Sequence, residues 1–271
     1  MVLHMAGYID FHCHLGFVDG EYCSSGKLLN SLDRNGVEKA IVSASPRCED
    51  QTISEGNNKV IEAVQQHPER LVGFAYVDPT VECGAVEEIK RSTDAGLRGV
   101  KLAPDTHGFC AAPGLLWRAL EYAAAQNLPV AIHCNPNECS LFDRLKEIIS
   151  AFPDTLFMLS SKGDGCVRQE SVNASVLNGN VMFETGNLAP RTILRLTDTL
   201  GAERVMFGSS FPYASIRYEL AKVKALVRER PELEGMMAGT PERLFRRITN
   251  GSPGPACGDQ ISSEISSARA E

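Results

Sequence analysis

The residues best suited to chemistry lie near the start of the chain, where the segment YIDFHCHLG carries two histidines separated by one residue. Side chains at positions i and i+2 of a β-strand share a face, so His12 and His14 are expected to point together, with Cys13 turned away. Asp10 would share their face and orient one imidazole. Two imidazoles on one edge suit Zn²⁺ or a similar divalent ion, although a pair of surface histidines would show the same spacing.

A third histidine strengthens the metal hypothesis, because His133 ends the apolar run LPVAIHC. Three neutral imidazoles can hold a catalytic zinc ion with water in the fourth position. We therefore predict one divalent ion, zinc, bound by His12, His14 and His133. Lys101 and His107 are predicted to contact the substrate. The alternatives are a lysine paired with a carboxylate and an ordinary loop histidine.

Eight apolar segments rich in β-branched residues would position these side chains, and helical patterns separate most of them. The segments cover residues 8–12, 37–45, 70–78, 97–104, 128–134, 155–161, 180–186 and 204–210. Their continuous apolar character is typical of strands covered on both faces. The pattern predicts a (β/α)₈ TIM barrel, whose active site lies at the carboxyl ends of the strands. An open doubly wound sheet is the alternative, although the GxGxxG signature is absent after the first strand.

The composition is typical of a soluble protein, since 43% of the 271 residues are hydrophobic, 23% are charged and the net charge is -7. The length suits one large α/β domain or two small ones. The chain has no Lys/Arg-rich run, no membrane-length apolar run and no signal-peptide pattern. We therefore predict a cytoplasmic protein with a small-molecule substrate, no nucleic-acid or membrane partner, and homo-oligomers as a possibility. Nine cysteines without a CxxC pair are expected to be reduced thiols. Residues 1–248 should form the barrel, and residues 249–271, rich in Gly, Ser and Pro, a disordered tail.

Several motifs together point to a known family: IDFHCHLG, GVKLAP, VAIHC, RVMFGSSFP and TPERLF, with the longer segment NNKVIEAVQQHPERLVGFAYVDP. They resemble the amidohydrolase-related family of metal-dependent hydrolases, in the branch that includes aminocarboxymuconate semialdehyde decarboxylase. The similarity extends from about Ile9 to Phe245. It implies a TIM barrel and assigns the metal to His12, His14 and His133.

The resemblance fails at two strand ends. The sixth strand in that family usually ends in a histidine and the eighth in an aspartate, where this chain has Ser161 and Ser210. A serine hydroxyl does not act as a general base near neutral pH unless another group activates it. Arg47, in the loop after the second strand, is predicted to pair with a substrate carboxylate, with a solvated surface arginine as the alternative. The candidate substitutes for the missing carboxylate are Asp105, Asp164 and Glu184.

Competing hypotheses follow. The first is an amidohydrolase-like, metal-dependent hydrolase or decarboxylase that acts on a small, carboxylate-bearing molecule at the barrel mouth. The alternative is a barrel that has lost catalysis and acts as a binding or scaffold protein, which the two serines favour. A third is a retained metal with altered chemistry. Fold alone does not choose among them.

Overall fold

Nine β-strands form one sheet in the computed structural model, which describes residues 7–18, 20–45, 52–80, 84–104, 113–134, 147–164, 167, 172–173, 178–237 and 239–250. The strands are β1 (Tyr8–Val18), β2 (Glu21–Cys23), β3 (Val37–Ala44), β4 (Leu71–Val77), β5 (Val100–Leu102), β6 (Val130–Cys134), β7 (Phe157–Ser161), β8 (Val181–Glu184) and β9 (Val205–Met206). Their order in the sheet is β2-β1-β3-β4-β5-β6-β7-β8-β9. The β1–β2 pair is an antiparallel hairpin, and the pairs from β1–β3 to β8–β9 are parallel.

Seven of the eight predicted strand segments contain one observed strand each, and the first, residues 8–12, is the start of the longer β1; the short β2 was not predicted. Helices separate most of the parallel strands, so the chain has a TIM-barrel-like α/β fold, as the sequence predicted at this level. The parallel strands are nearly continuous buried runs, with β4, β7 and β8 buried at every residue. That pattern is expected for strands covered on both faces.

The helices begin where local chemistry favours them. Ser24 caps the first helix by accepting the Lys27 N–H, and Thr52 and Glu55 form a capping box at the second. No helix in the part of the chain that the structure describes is long and apolar enough to cross a membrane. The bounds are α1 (Ser25–Arg34), α2 (Ile53–Gln66), α3 (Gly84–Asp94), α4 (Pro113–Ala125), α5 (Pro190–Leu200), α6 (Ile216–Glu229) and α7 (Thr240–Asn250), with 3₁₀ turns at Ala202–Arg204 and Pro231–Met236. The first two residues of the predicted tail, 249 and 250, belong to α7, and the rest of it lies outside the described residues.

The inward face of the sheet carries an apolar level of side chains. Strand alternation produces it: Met158 points inward, while its neighbours Phe157 and Leu159 belong to the core under the helices. Helix α7 contributes its buried side chains to the same cluster and thereby covers one end of the sheet. The members are Ile9, Phe11, Ile41, Val72, Phe74, Ala131, Leu156, Met158, Met182, Met206, Leu244, Phe245 and Ile248.

A register shift in β1 interrupts the alternation. Asp10 pairs with Ala40 and Cys13 with Val42, so three residue steps on β1 match two on β3. Such a β-bulge changes which side chains share a face. As a result, Phe11 belongs to the apolar level and the next residue, His12, enters the polar site beyond it.

Candidate functional site

A buried row of three titratable side chains has His12 at its centre. Lys101 Nζ lies 3.0 Å from His12 Nε2, and Glu184 Oε1 lies 3.0 Å from His12 Nδ1. An ammonium group only donates and a carboxylate only accepts, which assigns the lone pair to Nε2 and the proton to Nδ1. The relative exposures of the three residues are 3–4%, so the row is shielded from solvent.

The structure brings the three sequence-predicted histidines together. The ring centroid of His12 lies 4.6 Å from that of His14 and 5.7 Å from that of His133. His14 Nδ1 faces the hydroxyl of Ser43 on β3 at 3.3 Å, and the His14 ring meets Tyr213 edge to face. His12 and His14 are buried, whereas His133 is half-buried.

A serine on β7 connects Lys101 to His133. Ser160 Oγ accepts a hydrogen bond from Lys101 Nζ at 3.1 Å and lies 3.0 Å from His133 Nδ1. The β6–β7 register places Ser160 beside His133, on the inward face. The hydroxyl of Ser161 donates instead to the carbonyl of Gly163. The side chain that β7 presents to the histidines is therefore Ser160, one residue before the position that the sequence singled out.

Residues after β9 hold His12 from the other side. Ser210 Oγ lies 3.1 Å from His12 Nδ1, and its backbone adopts the left-handed φ of 58°. This conformation is uncommon outside glycine, and aspartate and asparagine tolerate it better than most residues. Asp10 Oδ1 accepts the backbone N–H groups of His12 at 3.0 Å and Ser209 at 2.9 Å. Asp10 therefore fixes the chain around His12 rather than the imidazole, which was its expected target.

The row and five polar residues around it form a second inward level, beyond the apolar one: His12, His14, Ser43, Lys101, His133, Ser160, Glu184 and Ser210. Burial lowers the pKa of His12 well below its usual value, and the charge of Lys101 lowers it further. Burial lowers the pKa of Lys101 to about 8, partly offset by the attraction of Glu184. Burial raises the pKa of Glu184 to about 7. The N–H donated by Gly186 and the charge of Lys101 both lower this pKa and so limit the rise. A neutral imidazole thus lies between an acid and a base that both titrate close to neutral pH.

The remaining predicted site residues fall into two groups. Asp164, a candidate base, accepts the backbone N–H of Ala189 at 2.8 Å and lies 3.5 Å from Arg191, so its carboxylate contacts the start of α5. Arg47, Asp105 and His107 lie outside the described residues. Of the two candidate carboxylates that the structure describes, Asp164 and Glu184, it is Glu184 that lies beside His12.

The donor atoms suit a zinc ion, but their arrangement does not. Zinc bound to His12 Nε2 would lie about 2.0–2.1 Å from that nitrogen. The Lys101 ammonium group already uses the Nε2 lone pair. Among the residues that the structure describes, no group of three or more His, Cys, Asp or Glu side chains is arranged to hold a metal ion. As folded, His12 accepts a hydrogen bond from the ammonium group of Lys101, and Ser160 links that group to His133.

Comparison with known proteins places this chain in a family. The amidohydrolase family model matches residues 9–247, nearly the whole described chain. The chain belongs to the amidohydrolase family. The resemblance inferred from the motifs is thereby confirmed. No curated protein matches the sequence.

Solved structures share the amidohydrolase fold at low sequence identity. 5-Carboxyvanillate decarboxylase from Sphingomonas paucimobilis has a TM-score of 0.69 and 15% identity, covering 89% of this chain and 99% of its own. A dihydroxybenzoic acid decarboxylase from Polaromonas sp., with bound manganese and the inhibitor 2-nitroresorcinol, has a TM-score of 0.66 and 18% identity, covering 90% and 98%. A probable 2-pyrone-4,6-dicarboxylic acid hydrolase from Acinetobacter baumannii, with citric acid bound, has a TM-score of 0.68 and 16% identity, covering 89% and 99%. At these identities the likeness establishes the fold.

Proposed function

We propose that this amidohydrolase is an enzyme that decarboxylates or hydrolyses a small, carboxylate-bearing molecule at the polar level of the sheet. The observation that carries the proposal is the buried Lys101–His12–Glu184 row, with both hydrogen bonds at 3.0 Å. Buried acid–base rows with shifted pKa values are concentrated at active sites. The decarboxylase and hydrolase activities named for the similar structures support the substrate class.

In this proposal, Lys101 is the acid. Its ammonium group would bind a substrate carboxylate or polarise a carbonyl oxygen in a site shielded from water. In decarboxylation, the C–C bond breaks, CO₂ leaves, and the carbon that keeps the electron pair takes a proton from Lys101. A pKa of about 8 leaves Lys101 charged at neutral pH yet able to give up that proton. His12 and Glu184 hold the ammonium group in place, and the half-buried His133 marks the side from which substrate approaches.

The test is a panel of three acids: 2,6-dihydroxybenzoate, 5-carboxyvanillate and 2-pyrone-4,6-dicarboxylate. Release of CO₂ and loss of pyrone absorbance are followed separately. Lys101→Met should lower kcat/KM by about 10²–10⁴-fold, the usual contribution of a general acid. Glu184→Gln should lower it by about 10²-fold, the cost of a misplaced ammonium group. The matched control is Lys59→Met, because Lys59 pairs with Glu62 on the exposed side of α2. Full activity in Lys101→Met would contradict the assignment.

We also propose that the sheet closes into the predicted (β/α)₈ barrel. Backbone hydrogen bonds that link β1 to the chain from β9 onward support closure. Phe11 N donates to Phe207 O at 2.9 Å, and His14 N donates to Phe211 O at 2.7 Å. A parallel bridge also joins Cys13 to Phe211. Closure would place the polar level at the carboxyl ends of the strands, where TIM-barrel active sites lie.

The zinc ion stays a prediction for this chain, although one of the similar structures contains manganese. An ion held by His12, His14 and His133 would polarise a carbonyl group or a water molecule. The contact between Lys101 and His12 does not fit such an ion, so no step of the mechanism above depends on it. A cytoplasmic location and a homo-oligomeric state also stay predictions.

A binding or scaffold protein is the second candidate, and Ser210 favours it. Its hydroxyl group lies beside His12, where the resemblance leads one to expect an aspartate. The same panel separates the two candidates. Saturable binding of a panel acid in calorimetry, with no product after long incubation, would support a binding protein.

A further inference from the structure

We infer that the Lys101 ammonium group takes the place of the divalent ion, and that the folded protein thereby keeps zinc away from its three histidines. The inference concerns which cation the site holds, so it does not depend on the substrate or on the reaction proposed above. Three observations carry it. Lys101 occupies the lone pair of His12, the charges along the row balance, and Ser160 holds the Lys101 ammonium group in place.

The first observation is the position of the ammonium group. Lys101 Nζ lies 3.0 Å from His12 Nε2, and Lys101 is 3% exposed. Glu184 on the opposite ring nitrogen fixes the tautomer, so Nε2 offers its single lone pair toward Lys101. That lone pair can accept an N–H from the ammonium group or bind a metal ion, but not both. A zinc ion at His12 therefore requires Lys101 to leave.

The second observation is charge. One ammonium group and one carboxylate, on opposite nitrogens of the His12 ring, balance each other. A divalent ion at Nε2 would lie within a few ångströms of Lys101, and like charges at that distance in a buried site repel strongly. Both oxygens of the Glu184 carboxylate already have hydrogen-bond partners, because Oε1 faces His12 and Oε2 accepts the Gly186 N–H at 2.6 Å. At the position after β9, the uncharged Ser210 faces the same ring.

The third observation is that the surroundings hold Lys101 where it is. Ser160 Oγ accepts from Lys101 Nζ at 3.1 Å and lies 3.0 Å from His133 Nδ1. The hydroxyl group thus ties the ammonium group to a second of the histidines expected to bind metal. Lys101 is on the inward face of β5, between Val100 and Leu102 in the helix-side core, so the strand fixes its direction.

The experiment measures zinc binding, not activity. Wild type, Lys101→Met and Lys59→Met are purified alike and titrated with zinc by competition against a chromophoric chelator. Methionine keeps the length of the lysine stem and removes the charge and the donors. Circular dichroism checks that each variant is folded. Lys101→Met combined with His133→Ala tests whether the histidines supply the ligands.

We expect wild type and Lys59→Met to bind zinc equally weakly, and Lys101→Met to bind it at least about tenfold more tightly, a gain that His133→Ala removes. One tightly bound zinc ion per wild-type chain would overturn the inference, and so would a folded Lys101→Met variant with unchanged affinity. If Lys101→Met does not fold, the wild type alone decides. Titrated with cobalt, it should show no tetrahedral absorption bands at one ion per chain, and such bands would overturn the inference. Lack of turnover on the acid panel would contradict the proposed function and leave this inference intact.

Discussion

On four strands of the sheet, the apolar and polar levels of the inward face lie two residues apart, yet their side chains differ in polarity and charge. The apolar level is filled by methionine, isoleucine and phenylalanine side chains under helix α7. The polar level holds a lysine, a glutamate and three histidines. Four strands change from one to the other within a single step of the pleat, with the pairs Ile41 and Ser43, Ala131 and His133, Met158 and Ser160, Met182 and Glu184. The comparison suggests that the fold is stabilised at one level and the chemistry is placed at the next.

The largest expected effect tests the chemical role of the polar level. Glu184→Gln keeps the shape of the side chain but removes the charge that faces Lys101 across His12. We expect kcat to fall by about 10²-fold on any panel acid that the wild type converts, because the Lys101 ammonium group loses its fixed position. Met182→Leu, two residues earlier on β8, is the matched control and should keep its kcat. If the two variants lost activity equally, the division between the levels would be wrong.

The next prediction tests the apolar level by stability. Met182→Ala leaves a cavity among the side chains under α7, since Met182 is fully buried there. Its free energy of unfolding, measured with urea, should fall by about 2–5 kcal/mol. Tyr218→Ala serves as the control, because Tyr218 is 76% exposed and should change stability by less than about 0.5 kcal/mol. A loss below about 1 kcal/mol in Met182→Ala would show that this level does not carry the stability assigned to it.

The sequence predicted the strands and the meeting of the histidines, because a period of two and the ends of apolar runs are visible in it. It also supplied Glu184 among three candidate carboxylates. It did not predict the bulge in β1, since pairing against β3 is a property of two strands together. For the same reason it singled out Ser161, while the register with His133 brings Ser160 to the site. The role of Lys101 depends on its distance from His12, which no spacing along one chain determines.

A smaller effect concerns pH and the charged member of the polar level. Burial lowers the pKa of Lys101 from 10.5 to about 8, so between these values the unfolded chain binds more protons than the folded protein. The stability of the wild type relative to Lys101→Met should therefore rise with pH across this window, by at most about 1.4 kcal/mol per pH unit.

The comparison with Lys101→Met is needed because burial raises the pKa of Cys13 and of Cys23, which lowers stability in both proteins as pH rises above 9. Urea unfolding at several pH values between 7.5 and about 10 measures the difference between the two proteins. A difference that stays constant or falls with pH would contradict the depressed pKa of Lys101.

The smallest expected effect concerns the chain beyond the apolar level. Helix α7 covers that level with Leu244, Phe245 and Ile248 and ends at Asn250. Residues 251–271, rich in Gly, Ser and Pro, have too few large apolar side chains to bury much surface. A chain ending at Asn250 should therefore melt within about 2 °C of the full-length protein. Phe245→Ala in the full-length chain is the positive control and should lower Tm clearly, because it opens a cavity at the apolar level. If the truncated chain melted several degrees lower, the segment after α7 would have to pack on the sheet and add to the cover that α7 provides.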